Sequence, residues 1–172
     1  MSVADLAPNT LTIEEDMPYL VGFLVALAVC FFGILSCFDC DRSFYPTLLV
    51  VVASYYVLFA VMGGSTDAIV TESIGAIVFL VAAILGHRKS DWIVASGLAA
   101  HGVFDAVHGQ LISNPGVPPW WPAFCLAFDL SVAVFLFRRS LVIRTFGRTG
   151  LSVPHDSEAG HIRRDQRHRA SR

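Results

Sequence analysis

Two histidines and an aspartate lie at helical spacing in the segment 101–110, which reads HGVFDAVHGQ. His101, Asp105 and His108 form the pattern H-x3-D-x2-H, and positions i, i+4 and i+7 lie on one face of an α-helix. Imidazole and carboxylate groups bind zinc, iron or manganese. The same groups form general acid–base couples. The pattern therefore predicts a metal site or a proton-transfer site on one helix face.

The chain around this segment of 172 residues is unusually apolar. It is 55% hydrophobic and 15% charged, whereas soluble domains carry about a quarter charged residues. A membrane-spanning helix needs roughly 20 predominantly apolar residues. Five apolar segments approach or reach this length: 18–38, 44–64, 68–87, 92–112 and 120–137. They predict an all-α fold, a polytopic membrane bundle of five transmembrane helices. The first two segments lack the polar face that helices of a soluble bundle show.

Lysine and arginine residues predict the orientation of the chain. They occur at Arg42, at Arg88 and Lys89, and nine times after Phe137. None occurs in the N-terminal tail or in the connections 63–67 and 113–119. Because basic residues favour the cytoplasmic side, we expect the N-terminus outside and the C-terminus in the cytoplasm, in the cell membrane. The predicted parts are an extracytoplasmic tail (1–17), a five-helix transmembrane domain (18–138) and a basic, disordered cytoplasmic tail (139–172).

Two further carboxylates lie within apolar segments. Glu72 is near the outer end of the third segment, and Asp129 is near the middle of the fifth. By depth, Glu72, Asp105 and His108 form an outer layer, and His101 and Asp129 form a deeper one. Each carboxylate at the membrane centre costs a few kcal/mol. We therefore expect all five side chains to converge on one pocket in the outer half of the bilayer.

Two kinds of chemistry fit these five residues. As a ligand set for zinc, iron or manganese, they would bind a cation that offsets the desolvation of the carboxylates and activates a bound water. Without a metal, His108 paired with Asp105 or Glu72 would form the catalytic acid–base couple. The substrate would be lipid-like, an isoprenoid, sterol or acyl chain. We expect aromatic residues to line its pocket: Tyr55, Tyr56, Phe104, Phe124 and Phe128.

Two alternatives to a membrane enzyme remain open. Chains of Asp, Glu and His also form proton or metal-ion paths in transporters, although five spans would need a homo-oligomer to enclose a pore. In a structural subunit, the polar groups would only join helices, at about 0.5–2 kcal/mol per contact. In every case the lipid bilayer is the expected partner, and nucleic acid is not.

The polar residues also resemble the pattern of a known family. H-x3-D-x2-H is followed by Asn114-Pro115 and by Cys125-x3-Asp129. This is similar to an uncharacterised family of small five-span membrane proteins, a domain of unknown function. The resemblance covers roughly residues 18–138 and implies the five-span topology and the site, but no activity. Gly109 stands where the family often has a second, adjacent histidine.

The connection 113–119, SNPGVPP, predicts a stiff turn. Pro115 disfavours helical geometry at Asn114, so the fourth helix should end there or just before. The amide of Asn114 is expected to cap this helix or, alternatively, to close the pocket. Elsewhere, Cys37 and Cys40 form a CxxC at the predicted cytoplasmic end of the first span, where thiols are expected to stay reduced.

Overall fold

The computed structural model describes residues 8–38 and 42–149, and these residues form five α-helices joined by short connections. The helices are α1 (Pro8–Leu35), α2 (Phe44–Met62), α3 (Thr66–Lys89), α4 (Asp91–Leu111) and α5 (Trp121–Thr149). The chain divides into two compact units, 1–140 and 141–172. All the side-chain contacts that follow lie in the first unit.

The helix boundaries differ from the predicted segments mainly at the two ends of the chain. Helix α1 begins at Pro8, within the predicted tail 1–17, and α5 continues past residue 138 to Thr149. The segment 150–172, most of the predicted disordered tail, lies outside the described residues. Cys37 is disulfide-bonded, so the expectation of a reduced thiol is wrong there, and Cys40 lies outside the described residues.

Serine side chains cap the N-terminal ends of α3 and α4. The hydroxyl oxygen of Ser65 accepts a hydrogen bond from the amide of Ala68, and that of Ser90 accepts one from Trp92, each at 3.3 Å. Each of these helices also has an aspartate in its first turn, which the helix dipole favours. Helix α4 ends at Leu111, as the proline-rich connection after it predicts.

Within the described part of the chain, three helices are long and apolar enough to cross a membrane. They cover Asp16–Leu35, Phe44–Met62 and Thr66–Lys89. This finding supports a membrane protein with transmembrane helices. Helices α4 and α5, the predicted fourth and fifth spans, are not among the three, and they carry four of the five ionisable residues singled out in the sequence.

The outer surface of the bundle is apolar, and its largely apolar interior also holds a set of buried polar side chains. Large hydrophobic side chains on α1 and α3 are more than half exposed, for example Leu24, Phe31, Ile74 and Val78. In contrast, the buried polar side chains include all five predicted site residues, Glu72, His101, Asp105, His108 and Asp129. A soluble domain buries its apolar groups and rarely its charges. An apolar surface combined with ionisable groups that face the bundle interior is typical of helices in a lipid environment.

Small residues let the helices approach one another closely. A Cβ added at Gly22 of α1 would overlap the carbonyl oxygen of Phe124 in α5, and one added at Gly86 of α3 would overlap the side chain of Val94 in α4. Small residues at helix contacts are typical of membrane bundles. These glycines therefore hold α1 closely against α5 and α3 closely against α4.

Candidate functional site

A deep cluster joins α4 to α5. The Nδ1 atom of His101 lies 2.6 Å from Oδ2 of Asp129 and 3.3 Å from Oδ2 of Asp105. All three residues are at most 1% exposed. The hydroxyl of Tyr56 in α2 donates a hydrogen bond of 2.6 Å to Oδ1 of Asp105. The cluster therefore draws its groups from three helices.

Helix geometry explains why these groups meet. Asp105 follows His101 by one turn, and side chains on a helix lean toward its N-terminus, so the carboxylate reaches back to the imidazole. Gly102, next to His101, faces α5. A Cβ there would lie 3.4 Å from both the Cβ of Asp129 and the carbonyl oxygen of Leu126. Gly102 thus lies where α4 and α5 are in close contact beside Asp129.

A second, outer cluster joins α3 to the connection between α4 and α5. The Nε2 atom of His108 lies 2.7 Å from Oε1 of Glu72. The side-chain amide of Asn114 donates to the same Oε1 at 2.9 Å and to the backbone carbonyl of Tyr56 at 3.0 Å. Its own oxygen accepts from the amide of Gly116 at 3.2 Å. Asn114 therefore holds Glu72 and the turn, whereas the favoured expectation was a cap on α4.

Tyr56 contacts both clusters. Its ring stacks on the imidazole of His108, with centroids 4.0 Å apart, while its hydroxyl binds Asp105 in the deep cluster. The sequence named Tyr56 only as an aromatic lining residue. A signal was nevertheless present, because a buried tyrosine hydroxyl usually needs a hydrogen-bond partner. In a span without charges, such as residues 44–64, that partner must come from another helix.

The predicted layering differs from the structure at Asp105. This residue was expected in the outer layer with Glu72 and His108, but it belongs to the deep cluster because it leans back toward His101. The five residues thus form two adjacent clusters and not one shared ligand set. Of the predicted catalytic residues, His108 and Glu72 pair with each other, and Asp105 pairs elsewhere.

The deep cluster has the composition of a metal site. One ligand atom from each of His101, Asp105 and Asp129 can be chosen so that all three atoms lie within 4.8 Å of one another. In the described part of the chain, buried atoms of these side chains lack a hydrogen-bond partner: His101 Nε2, Asp105 Oδ2 and Asp129 Oδ1. Unsatisfied buried groups are rare and call for an explanation such as a bound ion. These three residues can therefore hold a metal ion.

A cleft of about 380 Å³ lies beside the outer cluster. Its lining comes from the end of α4, the connection and the start of α5: His108, Gly109, Ile112, Ser113, Asn114, Pro115, Val117, Pro118, Pro119 and Pro122. None of the five aromatic residues predicted to line a pocket borders this cleft. Two of them, Phe124 and Phe128, stack on each other instead, at 6.2 Å. His108, which is 2% exposed, therefore lies in the wall of a proline-rich cleft.

Comparisons with known proteins give no relative. No family model, no curated protein and no solved structure matches the chain. The resemblance to an uncharacterised five-span family therefore stays a prediction, and function is inferred from the geometry of the two clusters.

Proposed function

We propose that this chain is a five-span integral membrane protein that binds one divalent metal ion, zinc, iron or manganese, through His101, Asp105 and Asp129. The observation that carries this proposal is the meeting of three buried ligand atoms within 4.8 Å of one another in a bundle whose surface is apolar. A histidine and two carboxylates suit each of these metals.

Charge balance favours an ion at this position. Two ionised carboxylates carry two negative charges, a neutral imidazole carries none, and a divalent cation brings the cluster to zero. An uncompensated charge in an apolar interior is costly. The ion would take the place of the proton between His101 Nδ1 and Asp129 Oδ2, and the imidazole would stay neutral by carrying its one proton on Nε2.

Tyr56 acts as a positioning residue in this proposal. Its hydroxyl holds Oδ1 of Asp105 at 2.6 Å, which leaves Oδ2 toward His101 at 3.3 Å. Groups that hydrogen-bond to metal ligands orient those ligands and tune their affinity for the metal. Tyr56 therefore fixes which carboxylate oxygen is offered to the ion.

A specific observation favours a second candidate function, acid–base catalysis on a lipid-like substrate. His108 borders the cleft and is paired with Glu72 at 2.7 Å, the arrangement of an imidazole oriented by a carboxylate. Asn114 holds the same carboxylate oxygen at 2.9 Å. A polar headgroup in the cleft would meet His108 as the proton acceptor, with its apolar chain in the bilayer.

Several features support five spans with the N-terminus outside. Nε of Arg42 forms an ion pair with Oδ1 of Asp91 at 3.3 Å. The connection between α1 and α2 therefore lies beside the start of α4. Arg88 and Lys89, at the end of α3, precede this same point in the chain. At the other end of α2, Gly63 lies against Gly116. Basic residues thus gather at one end of the bundle, as the positive-inside rule expects of a cytoplasmic face.

Metal content tests the metal site directly. The full-length protein, purified in detergent after growth with zinc, iron and manganese, should contain one ion per chain by mass spectrometry of the elements. His101→Ala and Asp129→Asn should lose it. Glu72→Gln, in the outer cluster, should retain it, as should His87→Ala at an exposed histidine.

The opposite pattern would reject the metal site. If the protein takes up none of the three metals, or if His87→Ala loses the ion together with His101→Ala, these residues do not form a specific centre. Acid–base catalysis or a purely structural role for the polar groups would then remain.

A further inference from the structure

A second cavity, of about 450 Å³, lies between α2 and α3 at the end of the bundle away from the cleft. Its α2 wall is Ser43, Pro46, Thr47 and Val50, and its α3 wall is Leu80, Ala83, Ile84, His87 and Arg88. Both sets follow a spacing of three and four residues, so each is one face of its helix. Two helix faces therefore form this groove.

The groove is polar at one end and apolar at the other. Arg88 and Thr47 lie toward the helix ends, whereas Val50, Leu80 and Ile84 lie further into the bundle. Leu80 and Ile84 are 40% and 44% exposed. From Arg88 to Leu80 the distance along α3 is about 12 Å, at 1.5 Å per residue. An occupant must therefore be charged at one end and apolar over the next several carbon atoms.

Among the described residues that line the groove, the charge at the polar end is positive. Arg42 is already bonded to Asp91, and His87 lies 3.4 Å from the carbonyl oxygen of Arg42 through Nδ1. Arg88 is exposed and forms no ion pair among the residues that the structure describes. Its guanidinium, with five N–H donors, matches the geometry of a phosphate.

We propose that this groove binds an anionic phospholipid. The phosphate lies against Arg88, with the Thr47 hydroxyl as a second donor, and one acyl chain runs along Leu80, Ile84 and Val50. A phospholipid has a charged headgroup followed by an apolar chain, and the groove has a basic residue at one end followed by apolar residues. Arg88 also lies at the end of a membrane-spanning helix, the level of lipid headgroups, where each basic residue attracts anionic lipid. This site is separate from the proposed metal centre and does not depend on it.

Lipid titration of the full-length protein tests this proposal. In neutral detergent, added phosphatidylglycerol should bind the protein by native mass spectrometry at least about fivefold more tightly than phosphatidylcholine. Arg88→Gln should weaken phosphatidylglycerol binding about fivefold, the effect of about 1 kcal/mol per basic residue near an anionic headgroup. The matched control is Lys89→Gln, because Lys89 is exposed and adjacent but does not line the groove. It should bind as the unaltered protein does.

A second variant tests the apolar wall. Ile84→Trp should fill the groove and abolish the preference for phosphatidylglycerol, while the melting temperature measured without lipid shows that the variant is folded. Three results would overturn the proposal: equal binding of both lipids, equal weakening by Lys89→Gln and Arg88→Gln, or displacement of phosphatidylglycerol by millimolar inorganic phosphate. The last result would mean that the site recognises phosphate without a chain.

Discussion

Tyr56 and His108 stack almost face to face, with ring centroids 4.0 Å apart and planes inclined by 20°. Because the hydroxyl of the same tyrosine donates to Asp105, one side chain of α2 contacts both the outer and the deep cluster. A change in the position of either cluster must therefore be accommodated at Tyr56.

Removal of the Tyr56 hydroxyl should weaken metal binding without disturbing the ring. Tyr56→Phe retains the stacking on His108 but leaves Oδ1 of Asp105 without its donor. Changes to groups that orient metal ligands typically cost 10–100-fold in affinity, and we expect a loss in this range. Competition with a chelator of known affinity measures it. Tyr55→Phe, at the neighbouring and more exposed tyrosine, should bind as the unaltered protein does. An equal loss in the two variants would contradict the role of the Tyr56 hydroxyl.

The amide of Asn114 should be essential because it donates to a carboxylate. In the unaltered protein, Nδ2 of Asn114 lies 2.9 Å from Oε1 of Glu72. Asn114→Asp places a second carboxylate at this position and removes the hydrogen bond to the backbone carbonyl of Tyr56. We expect a loss of about 2 kcal/mol in the free energy of unfolding, since buried acceptors lose their donor. Thermal unfolding in detergent measures it. Ser113→Asp, at an exposed neighbour, should change stability little. Similar losses in both variants would mean that any negative charge in this turn is harmful.

Gly116 should not tolerate even one added methyl group. A Cβ at this position would overlap the carbonyl oxygen of Phe59 in α2, so Gly116→Ala must displace the turn that holds Asn114. Overpacking of this kind typically costs 1–3 kcal/mol, and we expect a melting temperature lowered accordingly. Gly75→Ala, where a Cβ meets nothing within 4 Å, should be neutral or stabilising because alanine favours helix. Unchanged stability of Gly116→Ala would show that the connection is loosely packed.

Surface labelling should establish the orientation. With Cys37 and Cys40 replaced by serine, Thr66→Cys should react with a membrane-impermeant thiol reagent on intact cells, and Lys89→Cys should react only after permeabilisation. The two sites lie at opposite ends of α3. The disulfide at Cys37 is usual outside the cytoplasm, whereas the basic residues favour the cytoplasm for that end of the bundle. Labelling of Lys89→Cys on intact cells would reverse the proposed orientation.

The sequence predicted which residues are buried together better than it predicted how they pair. Depth along each helix follows from counting residues. His101 and Asp129 were assigned to the same depth, and Nδ1 of His101 does lie 2.6 Å from Oδ2 of Asp129. Asp105 was assigned by the position of its Cα alone. Its side chain leans one turn back along α4 toward His101, so Asp105 belongs to the deep cluster and not to the predicted outer layer.

Other features depend on contacts between helices that no spacing reveals. The hydrogen bond from Tyr56 to Asp105 joins residues 49 positions apart, and neighbouring Tyr55 instead packs against Trp121 at 4.8 Å. Which of the two tyrosines faces α4 depends on the rotation of α2. That rotation is fixed by packing, for instance of Leu49, which is fully buried.

The partners of α4 bear on how the chain enters the bilayer. Three of its polar residues are hydrogen-bonded to three other helices: Asp105 to Tyr56 of α2, His108 to Glu72 of α3, and His101 to Asp129 of α5. Two of these helices are synthesised before α4, but α5 follows it. In the proposed five-span arrangement, nascent α4 would thus bring an imidazole into lipid before its carboxylate partner has left the ribosome. Stable insertion of α4 would then wait for α5, and the two helices would enter the membrane as a pair.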